Sequence, residues 1–306
     1  MKMEENYQVI GLDIGRGYVK GYSKYNGMVK ECLFKSVFGD GRNIDFEKYE
    51  NPIYIDFESV SYFIGLLAEK ESITPIRNSD DSKISLTMRI LVAAALNEIT
   101  VADEVKIMLG VPYKSFRKTT LKEVLEAYKG KTFKIKDKIK GGYKEIKISD
   151  ISIFREGDAA LYHLLEGEVN EDKAVGVAHI GFRTTELSYF EKGFVFNDKL
   201  SDTLEAGNQD ALTIVQKQLK DRGIIRELNE IDSSNDYDEL KKAAYIMASE
   251  STAQRIASKW KNIDEMDVYV SGGTALHMTF DNRFKVSKDA QMVTAKGLFE
   301  VGMEQF

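Results

Sequence analysis

The chain has 306 residues, with 43 Lys and Arg against 49 Asp and Glu, a net charge of −6, and 43% hydrophobic residues. That composition fills large cores and excludes a disordered tail, the length suits two domains of roughly 150 residues, and the mildly acidic balance argues against a nucleic-acid grip spread over the whole surface. One cysteine, Cys32, cannot form an internal disulfide, which fits a reducing compartment.

The first seven residues carry acids and lead straight into an apolar run, so they do not read as a signal peptide. No apolar stretch reaches the roughly 18 residues of a membrane span; the longest helical one, residues 90–96, is far shorter. The expected location is the cytoplasm.

In chain order, the β-branched and aromatic runs at 7–12, 18–25, 28–34, 104–111 and 146–154 predict strands bounded by Gly or Asp. Helical spacing covers 86–98 and 119–127. The Lys- and Gly-rich segment 131–147 alternates Ile and Phe and predicts an exposed hairpin with a solvated charged face. In the second half, 175–179, 184–190, 193–197 and 268–271 predict strands. Residues 208–220 and 237–261 predict helices, with Met247, Ile256 and Trp260 on a buried stripe. The acidic, Asn- and Ser-rich stretch 227–238 predicts a loop. The three prolines, Pro52, Pro75 and Pro112, mark no linker, so a domain boundary must be a compact crossover.

An internal repeat organises these elements. Residues 9–29 align without gaps on 175–195, so that Asp13-Ile14-Gly15 falls on His179-Ile180-Gly181 and Gly27 on Gly193. Each copy is an apolar strand, a polar residue, Ile-Gly, a second strand and a glycine turn. Two copies, one opening each half, point to duplicated domains.

The turns suit phosphate. A glycine lets the backbone approach a ligand with no Cβ in the way, and successive N–H groups form a concave anion site. In the first copy Asp13 precedes the turn and Lys20 follows it; an acid there suits the water shell of Mg²⁺ and a lysine neutralises phosphate oxygens. The second copy offers Gly181, Phe182, Arg183 and Thr184. A Gly272-Gly273 pair followed by Thr274, between a strand and an expected helix, suits a flat group or a phosphate near a helix N-terminus, or is simply a tight turn. Neither a P-loop nor a Gly-x-Gly-x-x-Gly fingerprint is present. One Cys and three His give no zinc set, and His163 and His277 lie on helical patterns as structural residues.

These segments resemble the ATPase superfamily of actin, the heat-shock chaperones and the sugar kinases. The Asp13 segment is similar to its first phosphate motif, Gly181 to Thr185 to its second, and Val270-Ser-Gly-Gly-Thr-Ala275 to its adenosine motif. Residues 153–161 resemble the first connecting helix and 295–302 the second, in the family's order. Gly110-Val-Pro112, the length and the small insertions resemble the ParM/StbA-type plasmid-partition actins and their archaeal relatives.

The resemblance implies an α/β fold of two RNase-H-like domains flanking a nucleotide cleft. Residues 1–158 would form domain I, with an insertion subdomain at about 34–85 and completion by a terminal helix within 291–306; residues 159–290 would form domain II. It implies ATP or GTP with Mg²⁺ as cofactors, hydrolysis within helical filaments of the chain itself, and a DNA-binding adaptor of the ParR type, with no direct nucleic-acid or membrane contact. Carried over residue by residue, it gives Asp13 to Mg²⁺ through water, Gly15, Arg16 and Gly17 to the β/γ-phosphates with Lys20, and Glu156 to the attacking water. Gly207 falls to the ribose side and Gln218 to the base. His179 stands where the family has Asp; imidazole is a poor Mg²⁺ ligand, so His179 either bonds a water or the γ-phosphate or is a satisfied strand-end residue. Besides the filament, the sequence leaves open a small-molecule kinase of the same superfamily and a nucleotide-binding scaffold with little turnover.

Overall fold

The computed structural model describes residues 7–46, 48–79, 82–165 and 170–306. The chain divides into two compact units, residues 1–159 with 295–306, and residues 160–294.

Unit 1 is built on a ten-stranded sheet. Its strands are β1 (Gln8–Ile14), β2 (Tyr18–Tyr25), β3 (Met28–Lys35), β4 (Val37–Asp40), β5 (Ile53–Phe57) and β6 (Val60–Ile64). After helix α1 (Leu66–Glu71) come β7 (Ile76–Arg77), α2 (Leu86–Ile99), β8 (Glu104–Val111), α3 (Lys118–Tyr128), β9 (Thr132–Asp137), β10 (Tyr143–Arg155) and α4 (Glu156–Leu165). The sheet order is β3-β2-β1-β8-β10-β9-β5-β6-β4-β7, with β1, β8 and β10 parallel. Central β1 is buried along its whole length, as a strand covered on both faces must be. Helix α2 is apolar almost all round and correspondingly buried; its first turn is capped by Ser85, whose hydroxyl accepts from the Met88 N–H.

Unit 2 repeats the recipe with β11 (Val175–Ile180), β12 (Thr185–Glu191), β13 (Val195–Phe196), β14 (Asp202–Leu204), α5 (Asn208–Asp221), α6 (Leu228–Ser233), α7 (Asp238–Lys259), β15 (Asp267–Ser271) and β16 (Phe284–Val286). Its order, β13-β12-β11-β15-β16, matches β3-β2-β1-β8-β10 in both sequence and sense, two antiparallel pairs followed by two parallel ones. The chain ends in α8 (Val293–Gln305).

From Ala295 onward α8 packs on unit 1. Glycines permit the close approach: a Cβ on Gly11 of β1 would strike the Ala295 carbonyl at 2.2 Å, and one on Gly297 would strike the Ala159 carbonyl of α4 at 1.8 Å. Leu298 joins Met108 and Ala159 in a small core there.

Several expectations are corrected. The 131–147 hairpin forms as β9 and the start of β10, yet it is not wholly exposed: Phe133, Ile135 and Ile146 are buried, because alternation gives each strand one core face. Residues 227–238 are not a loop. A capping box at Glu227 and Glu230 opens α6, and its one fully buried apolar residue, Ile231, anchors it. Met247 is 60% exposed. It lies nine residues before Ile256, and at about 100° per residue that is the opposite face of α7. The buried stripe runs instead through Tyr245, Ser249, Thr252 and Ile256. Gly272-Gly273 leads into a five-residue 3-10 turn, Gly273–His277, rather than an α-helix, so no helix dipole of any length stands there.

Candidate functional site

In unit 1, the end of β1 and the start of β2 bring Asp13 and Lys20 opposite each other in antiparallel register. Lys20 Nζ lies 2.6 Å from Asp13 Oδ2, both side chains buried. The turn between them is closed by the Gly15 N–H donating to the Tyr18 carbonyl at 3.1 Å. A Cβ on Gly15 would sit 3.7 Å from the Lys20 ammonium and 3.8 Å from Asp13 Oδ1, so the ion pair lies under the face that the glycine leaves open. Arg16 and Gly17 are half-buried at the apex. Lys20 therefore does not stand alone: its ammonium is engaged by the carboxylate that precedes the turn.

Three residues that the sequence reading missed hold this turn. Ser36 Oγ donates to the Gly15 carbonyl at 2.6 Å, and Asn78 Nδ2 donates to the same oxygen at 3.1 Å. The Ser36 N–H donates to the Gly17 carbonyl, and the Asn78 N–H to the Ser36 carbonyl. Side chains behind the turn thus hold the Gly15 carbonyl, while the Gly15 N–H closes the turn on Tyr18. Lys83 Nζ reaches the Ile14 carbonyl at 3.4 Å and Glu156 Oε1 at 3.5 Å. Glu156, at the start of α4, is 8% exposed. No local pattern marks Ser36, Asn78 or Lys83; Ser36 is a single residue between β3 and β4, Asn78 and Lys83 lie in the polar run 77–83, and each is placed by long-range pairing.

Unit 2 has the same turn. The Gly181 N–H donates to the Thr184 carbonyl at 2.8 Å, the counterpart of the Gly15 to Tyr18 bond, and in both turns a Cβ on the glycine would lie 3.2 Å from that carbonyl. Gly27 and Gly193, equivalent in the repeat, have φ of 78° and 75°. Phe182 and Thr184 are half-buried, and Arg183 is exposed, 3.4 Å from exposed Glu205.

Two predicted segments converge on the Gly181 turn. At the start of α5, the Asn208 and Gln209 N–H groups donate to the Gly181 and Phe182 carbonyls, and a Cβ on Gly207 would meet both carbonyls at 2.7 Å. Thr274 Oγ1 donates to the Gly181 carbonyl at 2.8 Å. Gly272, at φ 95°, passes so close to Ile180 that a Cβ would lie 2.2 Å from its carbonyl; Gly273 follows half-buried. Gln218 is not in this cluster. It lies ten residues beyond Asn208 on α5, about 15 Å along the helix.

His179 occupies the position in β11 that Asp13 holds in β1. It is 5% exposed, and its Nδ1 is hydrogen-bonded to Ser271 Oγ at 3.1 Å, with Thr294 Oγ1 at 3.4 Å. The two turns thus differ chemically: unit 1 pairs a buried carboxylate with an ammonium, whereas unit 2 carries an imidazole bonded to hydroxyls, with the buried Glu186 opposite it in register. Among the described residues, no group of three or more His, Cys, Asp or Glu side chains is arranged to hold a metal ion, and no helix is long and apolar enough to cross a membrane. A hydrated Mg²⁺ on nucleotide phosphates fits such a site, since it needs one or two carboxylates rather than a protein cage, and Asp13 is the one that the turn supplies.

Residues 11–157 match the family model of the actin-like proteins' N-terminal domain. Among solved structures, a 15-stranded ParM filament from Clostridium botulinum superposes with a TM-score of 0.81 at 20% identity, covering 98% of this chain and 100% of the other. The archaeal actin homologue Ta0583 gives 0.80 at 18% identity, covering 97% and 100%. Bacillus thuringiensis ParM with ATP gives 0.70 at 14%, covering 98% and 99%. No curated protein sequence matches the chain. At these identities the likeness establishes the fold.

Proposed function

From an actin-like fold, and from the match of residues 11–157 to the actin-like N-terminal domain, we propose that this chain is a filament-forming protein that binds ATP or GTP with Mg²⁺, hydrolyses it, and moves plasmid DNA through a DNA-binding adaptor. One observation carries the nucleotide reading. The turns at Gly15 and Gly181 close by the same hydrogen bond, and in each a Cβ on the glycine would lie 3.2 Å from the carbonyl that closes it.

In this reading the backbone of Gly15, Arg16 and Gly17 contacts the β/γ-phosphates, and Lys20 balances their charge beside Asp13. Asp13 holds Mg²⁺ through its water shell; the ion, when bound, neutralises phosphate charge. The turn of Gly181, Phe182, Arg183 and Thr184 offers a second set of donors. Gly207 serves the ribose side, Gly272, Gly273 and Thr274 the adenosine side, and Gln218 the base. Glu156 accepts a hydrogen bond from the attacking water and orients it, since positioning dominates phosphoryl transfer. Similarity to a ParM filament supports self-association. A head-to-tail contact that does not close gives an open helical polymer, and phosphate loss weakens it through a change of state.

Light scattering with phosphate release tests the reading. We expect scattering to rise on adding ATP-Mg²⁺ or GTP-Mg²⁺, with phosphate following, and Glu156→Ala to keep assembly while slowing release at least about tenfold. No scattering and no nucleotide binding would overturn it. One observation favours a second reading, a nucleotide-binding scaffold with little turnover: the His179 imidazole is buried and bonded to hydroxyls where a carboxylate stands in unit 1. Tight nucleotide binding without phosphate release, unaffected by Glu156→Ala, would select it.

A further inference from the structure

Lys83 is 7% exposed, an unusual place for an ammonium, which is seldom buried without partners. It lies in the connection entering α2, and its own carbonyl accepts a hydrogen bond from the buried Tyr128 hydroxyl at 2.9 Å. That bond fixes the backbone from which the side chain extends. The ammonium then spans two elements of the candidate site: the last residue of β1, through the Ile14 carbonyl at 3.4 Å, and the first residue of α4, through the Glu156 carboxylate at 3.5 Å. Gly110 makes room on the other side, since a Cβ there would lie 3.0 Å from Glu156 Cγ. Glu156 is thus confined by a glycine along its stem and by a cation at its head.

Filling this space does not require a charge. A buried ion pair contributes little net stability compared with apolar residues of the same size, so stability alone does not account for a lysine paired with Glu156. The chemistry does: a carboxylate that orients a water must be held in both distance and angle. Resting on the nucleotide-hydrolysis reading above, we propose that Lys83 is a positioning residue, tethering the Glu156 carboxylate to the Gly15 turn so that the two act on one phosphate from a fixed separation.

The test compares hydrolysis and nucleotide affinity in the full-length chain for native, Lys83→Met, Lys83→Arg, Glu156→Gln and the double variant Lys83→Met/Glu156→Gln. Expected are a fall in kcat of about 10- to 100-fold for Lys83→Met with KM within about threefold, and recovery to within about threefold of native in Lys83→Arg. The double variant should be no slower than Glu156→Gln alone, because residues acting as a unit are not additive. If Lys83→Met does not fold, Lys83→Gln carries the same comparison, keeping a donor while losing the charge. Native-like kcat in the folded neutral variant, or losses that multiply in the double variant, would overturn the proposal while leaving the nucleotide reading intact. A native chain that neither binds nor hydrolyses nucleotide would overturn both, and that outcome is seen before any variant is compared.

Discussion

Gly272 holds a φ of 95°, in the left-handed region, and its missing Cβ would lie 2.2 Å from the Ile180 carbonyl. Gly193 holds a φ of 75° but has nothing within 4 Å of where its Cβ would be. Both are in unit 2, and the comparison separates backbone strain from collision. Gly193→Ala should cost about 1 kcal/mol from strain alone, and Gly272→Ala about 2–4 kcal/mol, from strain plus overpacking against backbone that cannot retreat. The chain's single tryptophan, Trp260, is buried in the same unit and donates from Nε1 to the Leu200 carbonyl, so its emission during urea unfolding measures both. Equal losses would refute the distinction. At this scale the sequence was partly legible. Gly193 announced itself through repetition and Gly272 through the Gly-Gly pair after a strand, but nothing around Ser36, Asn78 or Lys83 forecasts that they brace the first turn, because their partners are 21 to 73 residues away.

Among the elements, α1 is fastened to its neighbours by two carboxylates, Glu69 and Glu71, the second bonded to Arg42, Lys48 and Tyr49. Glu69 accepts from Lys35 at the end of β3 and from Arg77 in β7. Burial pushes its carboxyl upward, yet the two cationic donors outweigh burial and hold it below the ordinary value of 4.5. A depressed folded value means that this stabilisation is fully present above the ordinary value and is lost as pH falls through the lower, folded one. Urea midpoints should therefore decline on acidification from pH 5 to pH 3, and Glu69→Gln, less stable at pH 7, should show a shallower decline. Parallel native and variant profiles would contradict this. Elements were legible where one apolar or periodic run went uninterrupted, as in β2, β8, α2 and α5. Legibility failed where a single residue decides: Ile231 converts a polar stretch into α6, and the turn of α7 sends Met247 outward. The glycine pair at 272–273 misled because an α-helix and a 3-10 turn begin alike.

For the whole molecule, the repeat foretold the recurrence of one strand order in two sheets, since a gapless alignment of strand, turn and strand carries its topology with it. The repeat did not reveal how thoroughly unit 1 depends on α8, because contacts at Gly11, Gly297 and Leu298 join residues far apart in sequence through close approaches that leave no periodic mark. Truncation after Ala295 should strip β1 and β8 of cover. The expected result is loss of amide protection in both strands and new dye binding to apolar surface, while Trp260 emission stays native-like; retained protection in β1 would show that α8 is dispensable.

The α8 arrangement also sets a timetable at the ribosome. Unit 1 is begun first, yet its last piece is translated after all of unit 2, a delay of about 7 to 27 s at roughly 5–20 residues per second. Through that interval the back of β1 is without its lid, and the nascent chain must hold an incomplete first half in solution while the second half is made. Chaperone capture, and any rare-codon pause between Ala159 and Ala295, would act on that half-built species, and a circular permutant that joined the two pieces of unit 1 in one run would abolish the wait.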